Sequence, residues 1–217
     1  MTRQPARRRL ALRSLLLAAV LLLAANYAFG VGLLLPIQAV RQEGEHWGTG
    51  CTWTVERKRV PVLGQTHLFY LTENDRAVLL GNTYLSFLGW ETLFGCAVDC
   101  TDPAPIHVGY HCIAGDEAEV GCYFGRIDDP AIETVTISIQ EETYDQGQAV
   151  RTELRCLTVE RENFLTRGER TFFWLFEAPA PERDPEQILC PVVIACDREG
   201  AVIAEFDIEQ STYSSFG

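Results

Sequence analysis

The sequence predicts a mainly β protein, with one N-terminal transmembrane helix followed by an antiparallel β-sandwich-like ectodomain. An uncharged, leucine-rich run occupies residues 14–40 of the 217, and segments of alternating apolar and polar side chains recur after residue 126. Alternation with a period of two is typical of half-buried strands. No amphipathic helix pattern separates these segments, which favours an antiparallel sandwich over a parallel βαβ arrangement.

The apolar run predicts a membrane anchor. A helix that crosses a bilayer needs roughly 20 apolar residues, and residues 14–35 supply that length before Pro36. Five arginines lie within residues 1–13, and no acidic residue precedes or interrupts the run. This asymmetry of positive charge predicts a cytoplasmic basic tail at 1–13, a signal-anchor helix in the lipid bilayer at 14–35 and an extracellular C-terminal domain at the cell membrane.

A cleaved signal peptide is the alternative to an uncleaved anchor. The basic start, the leucine-rich centre and small residues such as Ala28 and Gly30 are typical of a signal-peptidase substrate. The apolar run continues through residues 31–37, which is longer than a signal peptide requires and favours the anchor. Both alternatives place the domain outside the cytoplasm.

The chain after residue 40 is strongly acidic. It carries 13 of the 18 basic residues and all 30 acidic ones, which gives a net charge of −17. A surface of this sign repels phosphate backbones, so nucleic acid is disfavoured as a partner. An unknown protein or ligand at the cell envelope stays open as the partner, and no cofactor is predicted.

The cysteines predict disulfides, because all eight follow residue 40 and an even number in an exported domain is typical of cross-linking. Cys112 and Cys122 flank a turn-rich segment, which favours a disulfide between antiparallel strands. Cys156 is expected to point into the sandwich, either toward Cys190 or Cys196 or as a buried thiol. Cys190 and Cys196 share one strand and lie too far apart to pair with each other. The full set of disulfide candidates is Cys51, Cys112, Cys122, Cys156, Cys190 and Cys196.

The exported part follows a linker at residues 36–46 and divides into two predicted regions. Residues 47–125 predict a cysteine-rich β subdomain, in which two strands flank a polar turn at residues 73–76 and residues 83–95 fit a strand or a short helix. Residues 126–217 predict the sandwich module, with a central strand that is apolar on both faces at residues 172–176. Its expected strands are 132–140, 149–158, 171–177, 189–196 and 201–208.

Two short motifs resemble those of small membrane-anchored extracytoplasmic β-rich proteins of Gram-positive bacteria. The first is a strand entry that comprises Phe124, Gly125, Ile127, Asp129, Ile132 and Val135. The second is a final hairpin that comprises Ile194, Ala195, Asp197, Gly200, Val202 and Ile203, with a looser likeness at residues 88–90. The resemblance implies an anchored β-rich ectodomain, and it assigns no activity to any residue.

One segment has the side chains of a metal or thiol site. Thiolates and imidazoles bind zinc, and a cysteine beside a histidine can act as a nucleophile. The candidate ligands are Cys96, Cys100, His107, His111, Cys112 and Cys122. A zinc-binding or cysteine-dependent envelope enzyme is therefore the alternative function. Because no nucleophile elbow, phosphate loop or dinucleotide fingerprint occurs, the favoured function is a non-enzymatic binding or interaction module without catalytic residues.

Overall fold

A computed structural model shows the architecture of the chain. It describes residues 4–29, 35–46, 48, 50, 52–62, 65–86, 89–114, 119–145, 148–177 and 188–208. In these ranges two α-helices precede twelve β-strands, and the strands form three four-stranded sheets. Every strand pair is antiparallel. The predicted mainly β, antiparallel class is confirmed.

Two helices lie at the N-terminus. Helix α1 spans Gln4–Phe29, and α2 spans Pro36–His46, the segment predicted as a linker. Proline suits the first turn of α2, because a backbone N–H at that position would have no partner within the helix. Residues 30–34, near the end of the predicted anchor, lie outside the described residues. Among the described residues, no helix combines the length and the apolar character that crossing a bilayer requires.

Sheet A is an up-and-down meander of four consecutive strands. They are β1 (Trp53–Val62), β2 (Gln65–Glu73), β3 (Ala77–Ser86) and β4 (Gly89–Asp99), in that order across the sheet. The two strands predicted around the polar turn are therefore confirmed as β2 and β3. The described parts of residues 83–95, which fitted either a strand or a short helix, lie in β3 and β4.

Sheets B and C contain the remaining strands. Sheet B has the order β5 (Ile106–Ala114), β6 (Glu119–Ile127), β10 (Arg170–Glu177) and β9 (Leu165–Arg167). Sheet C has the order β12 (Val202–Asp207), β11 (Ile188–Cys196), β7 (Thr134–Asp145) and β8 (Gln148–Glu160). The predicted boundary between residues 125 and 126 falls inside β6, and β6 pairs with β10 from the C-terminal region. Sheet B thus joins the two predicted regions.

The sheets form stacked layers, with sheet B in the middle. One apolar core between sheets A and B contains Phe69, Leu80, Phe124 and Phe172, and a second core contains Ile137, Val193 and Phe173 between sheets B and C. Because Phe172 and Phe173 enter opposite cores, β10 is apolar on both faces. The prediction of a central strand at residues 172–176 is confirmed.

Glycines permit two of the closest contacts between layers. Helix α2 packs on the outer face of sheet A, where a Cβ atom at Gly81 would lie 3.0 Å from Cγ1 of Val40. On the other side of sheet A, a Cβ atom at Gly109 of β5 would lie 2.3 Å from Cγ2 of Val98 in β4. Any larger residue at position 109 would force sheets A and B apart.

Candidate functional site

The predicted zinc ligands lie on and beside three neighbouring strands and do not converge. Cys96 lies on β4 and Cys100 directly follows it, His107 and His111 lie on β5, and Cys122 lies on β6. His107 and His111 are four residues apart on one strand, so their backbones are separated by roughly 13 Å. The side chain of Cys112 lies outside the described residues. Within the described parts of the chain, no three His, Cys, Asp or Glu side chains are placed to hold a metal ion.

His107 belongs to a polar cluster where β4 connects to β5. Its Nε2 atom lies 3.1 Å from Oδ2 of Asp128, but Nε2 is buried and makes no hydrogen bond with a described residue. Asp128 instead accepts two hydrogen bonds from Arg126, from Nε at 2.7 Å and from Nη2 at 2.6 Å. Arg126 Nη2 also donates to the backbone carbonyl of Cys100 at 3.0 Å. Arg126 thus ties the end of β6 to the end of sheet A, and this cluster stabilises a strand connection.

The buried thiols in this region are poor nucleophiles. Burial raises the pKa of Cys100 to about 11 and also raises the pKa of Cys122. Both groups therefore stay protonated near neutral pH, whereas attack and metal binding need the thiolate. The geometry and the protonation of these thiols give no support to the cysteine-dependent enzyme.

The expected Cys112–Cys122 disulfide stays a prediction, because the side chain of Cys112 lies outside the described residues. In the β5–β6 register, Cys112 is opposite Gly121 and Cys122 is opposite His111, so the two cysteines are offset by one position. A direct cross-strand pair needs the two residues opposite each other. The Cys122 side chain is a thiol in the core between sheets A and B. Turn residues in the sequence suggested the hairpin, but they did not fix its register.

Cys156 does not point into the sandwich, and that prediction was wrong. The register of β7 and β8 shifts between Ile139 and Gln140, which leaves Leu154 without a partner in the pairing and changes the alternation along β8. Leu157 packs inward as a result, while Cys156 is exposed. The prediction from the sequence assumed unbroken alternation along this strand, which the bulge interrupts.

Cys156, Cys190 and Cys196 all belong to sheet C and are present as thiols. Cys156 lies on β8 and the other two on β11, and β7 runs between these strands. Two strand spacings amount to roughly 9.6 Å, beyond the reach of a disulfide. The prediction that Cys190 and Cys196 share a strand is confirmed. Cys51 lies outside the described residues.

A second polar cluster, which the sequence did not indicate, joins sheet A to the β9–β10 hairpin. The carboxylate of Glu73 at the end of β2 accepts two hydrogen bonds. Nη1 of Arg167 donates one at 2.6 Å and Nη1 of Arg170 donates the other at 2.5 Å. The Arg167 guanidinium also lies 5.3 Å from the ring centre of Trp53. The Glu73 side chain is only 6% exposed. Its partners lie 94 and 97 residues away in the chain, so no local pattern could have predicted the cluster.

The Glu73 cluster neutralises a buried charge and does not form an open site. The Arg170 guanidinium also donates a hydrogen bond to Asp75, and this contact lowers the pKa of the exposed Asp75 carboxyl. All the charged groups in the cluster are paired within the protein. The cluster therefore holds sheets A and B in position.

Replacing Glu73 with glutamine should destabilise the protein by about 3 kcal/mol, because two arginines would lose their buried anionic partner. Asp75→Asn is the matched control, since Asp75 contacts the same Arg170 but its side chain is 91% exposed. That substitution should change stability little. Denaturant unfolding of both variants measures the difference. Equal midpoints for the two variants would show that burial of Glu73 contributes nothing.

Burial of His111 predicts a pH dependence of stability. Burial lowers its pKa from 6.5 to about 4, so the unfolded chain binds a proton at higher pH than the folded protein does. The stability associated with neutral His111 is complete above pH 6.5 and is lost as the pH falls toward 4, by about 3 kcal/mol. Unfolding of the wild type and of His111→Gln at pH 7 and pH 4.5 should show a smaller loss in the variant. An identical loss in both proteins would contradict this.

Comparisons with known proteins identify no relative of this chain. No protein-family model, no curated protein and no solved structure matches the chain. The functional argument therefore rests on the residues and contacts described above.

Proposed function

We propose that the chain is a single-pass, membrane-anchored protein whose β-rich domain lies outside the cytoplasm and acts as a non-enzymatic binding or interaction module. The basic tail stays in the cytoplasm, and the apolar part of α1 and the residues after it lie in the bilayer. The observation that carries the proposal is the uncharged leucine-rich run behind five arginines.

The exposure of α1 supports the anchor. Its described side chains from residue 11 to residue 22 are all exposed, with Leu12 at 64% and Leu22 at 71%. Every residue from 15 to 22 is apolar, so this part of the helix has no polar face to meet water. A segment that is apolar all round favours an apolar environment, and lipid provides one.

The β7–β8 hairpin supports an interaction role. Among the described residues, β11 pairs with β7 as far as Glu142, and β7 and β8 stay paired with each other to Asp145 and Gln148. Exposed apolar side chains lie along this hairpin, with Tyr144 at 66% and Val150 at 44% near its end and Leu154 at 47% at the bulge of β8. Projecting apolar side chains on an otherwise acidic domain are typical of a contact surface.

A topology reporter fused after Gly217 tests on which side of the membrane the β-rich domain lies. We expect activity outside the cytoplasm, because the arginine-rich flank stays inside while the rest of the chain crosses. The intact mass of the purified protein distinguishes an uncleaved anchor from a processed signal peptide. A reporter that is active only in the cytoplasm would refute the proposed location outside the cytoplasm.

A photo-cross-linking residue placed at Tyr144 tests the contact surface in intact cells. We expect a discrete adduct of higher mass, because the Tyr144 side chain projects from the hairpin and is exposed. The matched control places the same cross-linker at Thr166, an exposed position on the short strand β9. Adducts that do not differ between the two positions would count against the hairpin as a contact surface.

A further inference from the structure

The basic residues without an acidic partner are concentrated in one layer of the domain. The arginines of sheets B and C and of the β8–β9 connection pair with carboxylates: Arg126, Arg151, Arg155, Arg161, Arg167 and Arg170. In the described part of the chain after residue 40, the basic residues that pair with no described carboxylate are Arg41, Arg57, Lys58, Arg59, Arg76 and Arg198. All of these except Arg198 belong to α2, to sheet A or to the β2–β3 turn.

Arg57 and Arg59 lie on the face of sheet A that α2 covers. Arg57 of the edge strand β1 is opposite Tyr70, and Arg59 is opposite Leu68. Residues opposite each other point to the same face of a sheet. Tyr70 and Leu68 belong to the apolar cluster that contains Val40 of α2. Both arginines are exposed, so they are available to a partner on this side of the domain.

Two apolar side chains lie on the same face beside these arginines. Leu85 comes two positions after Thr83, which is opposite Leu68, so Leu85 points to the face that α2 covers. Trp90 of β4 is opposite Leu85. Leu85 is 63% exposed and Trp90 is half-buried. Tryptophan, leucine and arginine side chains on one surface are typical of protein segments that lie at a membrane–water interface.

Helix α2 begins at the end of sheet A that carries this surface. Val40 contacts the middle of β3, since a Cβ atom at Gly81 would lie 3.0 Å from its Cγ1 atom. Gly48, which follows α2, lines a cavity together with Ala77 at the start of β3. The helix therefore runs along β3 from the β3–β4 connection toward the β2–β3 turn. Pro36, its first residue, lies toward the β3–β4 connection.

The chain between the proposed anchor and α2 is too short to hold this surface far from the bilayer. The anchor ends at residue 35, and α2 begins at Pro36. Even measured from Phe29, the last residue of α1, a fully extended chain reaches Pro36 over roughly 25 Å at most. If residues 30–35 lie in the bilayer, the start of α2 is at the headgroups.

We propose that this end of sheet A docks on the membrane surface, where Arg57 and Arg59 bind the phosphates of anionic lipids and Leu85 and Trp90 enter the interface. The proposal rests on the proposed membrane anchor. The chain after residue 40 has a net charge of −17, so the acidic faces of the domain are repelled by the same lipids. Attraction on one face and repulsion on the others fix the orientation of the domain on the membrane.

The experiment uses the full chain reconstituted in vesicles of phosphatidylcholine, alone or mixed with phosphatidylglycerol. A fluorescent amino acid replaces Thr66, an exposed residue on the same face of sheet A as Leu68, and some lipids carry a quencher on the headgroup. We expect stronger quenching in the vesicles that contain phosphatidylglycerol. The matched control places the fluorophore at Thr166 on β9 of sheet B, where quenching should not depend on the anionic lipid.

Variants test the two arginines. Arg57→Gln combined with Arg59→Gln should lower the docking equilibrium constant, measured from the quenched fraction, by on the order of thirtyfold. Arg59→Lys keeps the charge and should retain docking. Arg198→Gln removes an exposed, unpaired arginine of sheet C and should leave the quenching unchanged. Equal quenching of the double variant and the wild type would overturn the proposal, and equal unfolding midpoints show that the double variant is folded.

Flotation with vesicles of phosphatidylcholine alone separates this proposal from the proposed anchor, because neutral lipids retain the chain only through the apolar helix. Flotation together with quenching that requires phosphatidylglycerol supports both proposals. Flotation without such quenching overturns the docking and leaves the anchor standing. A chain that does not float with neutral vesicles refutes the anchor, and it overturns the docking as well, because the surface is then not held near the bilayer.

Discussion

The burial of sheet B between two other sheets is the constraint on which the rest of the structure depends. Phe172 and Phe173 lie next to each other in β10 and fill two different cores. A sheet that is apolar on both faces is stable only when both faces are covered. Sheet A covers one face with the N-terminal strands, and sheet C covers the other with the C-terminal strands.

Ion pairs hold these layers in register. Arginines on β6 and on the β9–β10 hairpin pair with Asp128 and Glu73, and Arg155 of sheet C pairs with Glu177 of sheet B. Buried carboxylates without partners would be costly, so each pair fixes the position of a strand end. These arginines are consequently paired within the protein, and the chain after residue 40 keeps a strongly negative net charge.

The strands could be predicted from the sequence, but the pairing between strands could not. Alternation of apolar and polar residues located β7, β8, β10, β11 and β12, because each strand alone determines which of its faces is apolar. The same alternation misplaced Cys156, since a bulge in the β7–β8 pairing changed which side chains face inward. Cys112 and Cys122 are not opposite each other in the β5–β6 pairing, and the turn residues between them could not determine this, because a shift of one position changes which residues are opposite.

The sequence by itself determined the strand content, the central character of β10, the acidic balance and the arginine-flanked apolar run, because these follow from local order and composition. Only the tertiary structure decided that β10 joins β6, that Glu73 is paired with arginines about 95 residues away, and that Cys96 shares a core with Cys122. Such contacts depend on how whole layers stack, and no local pattern of residues encodes the partner of a distant strand.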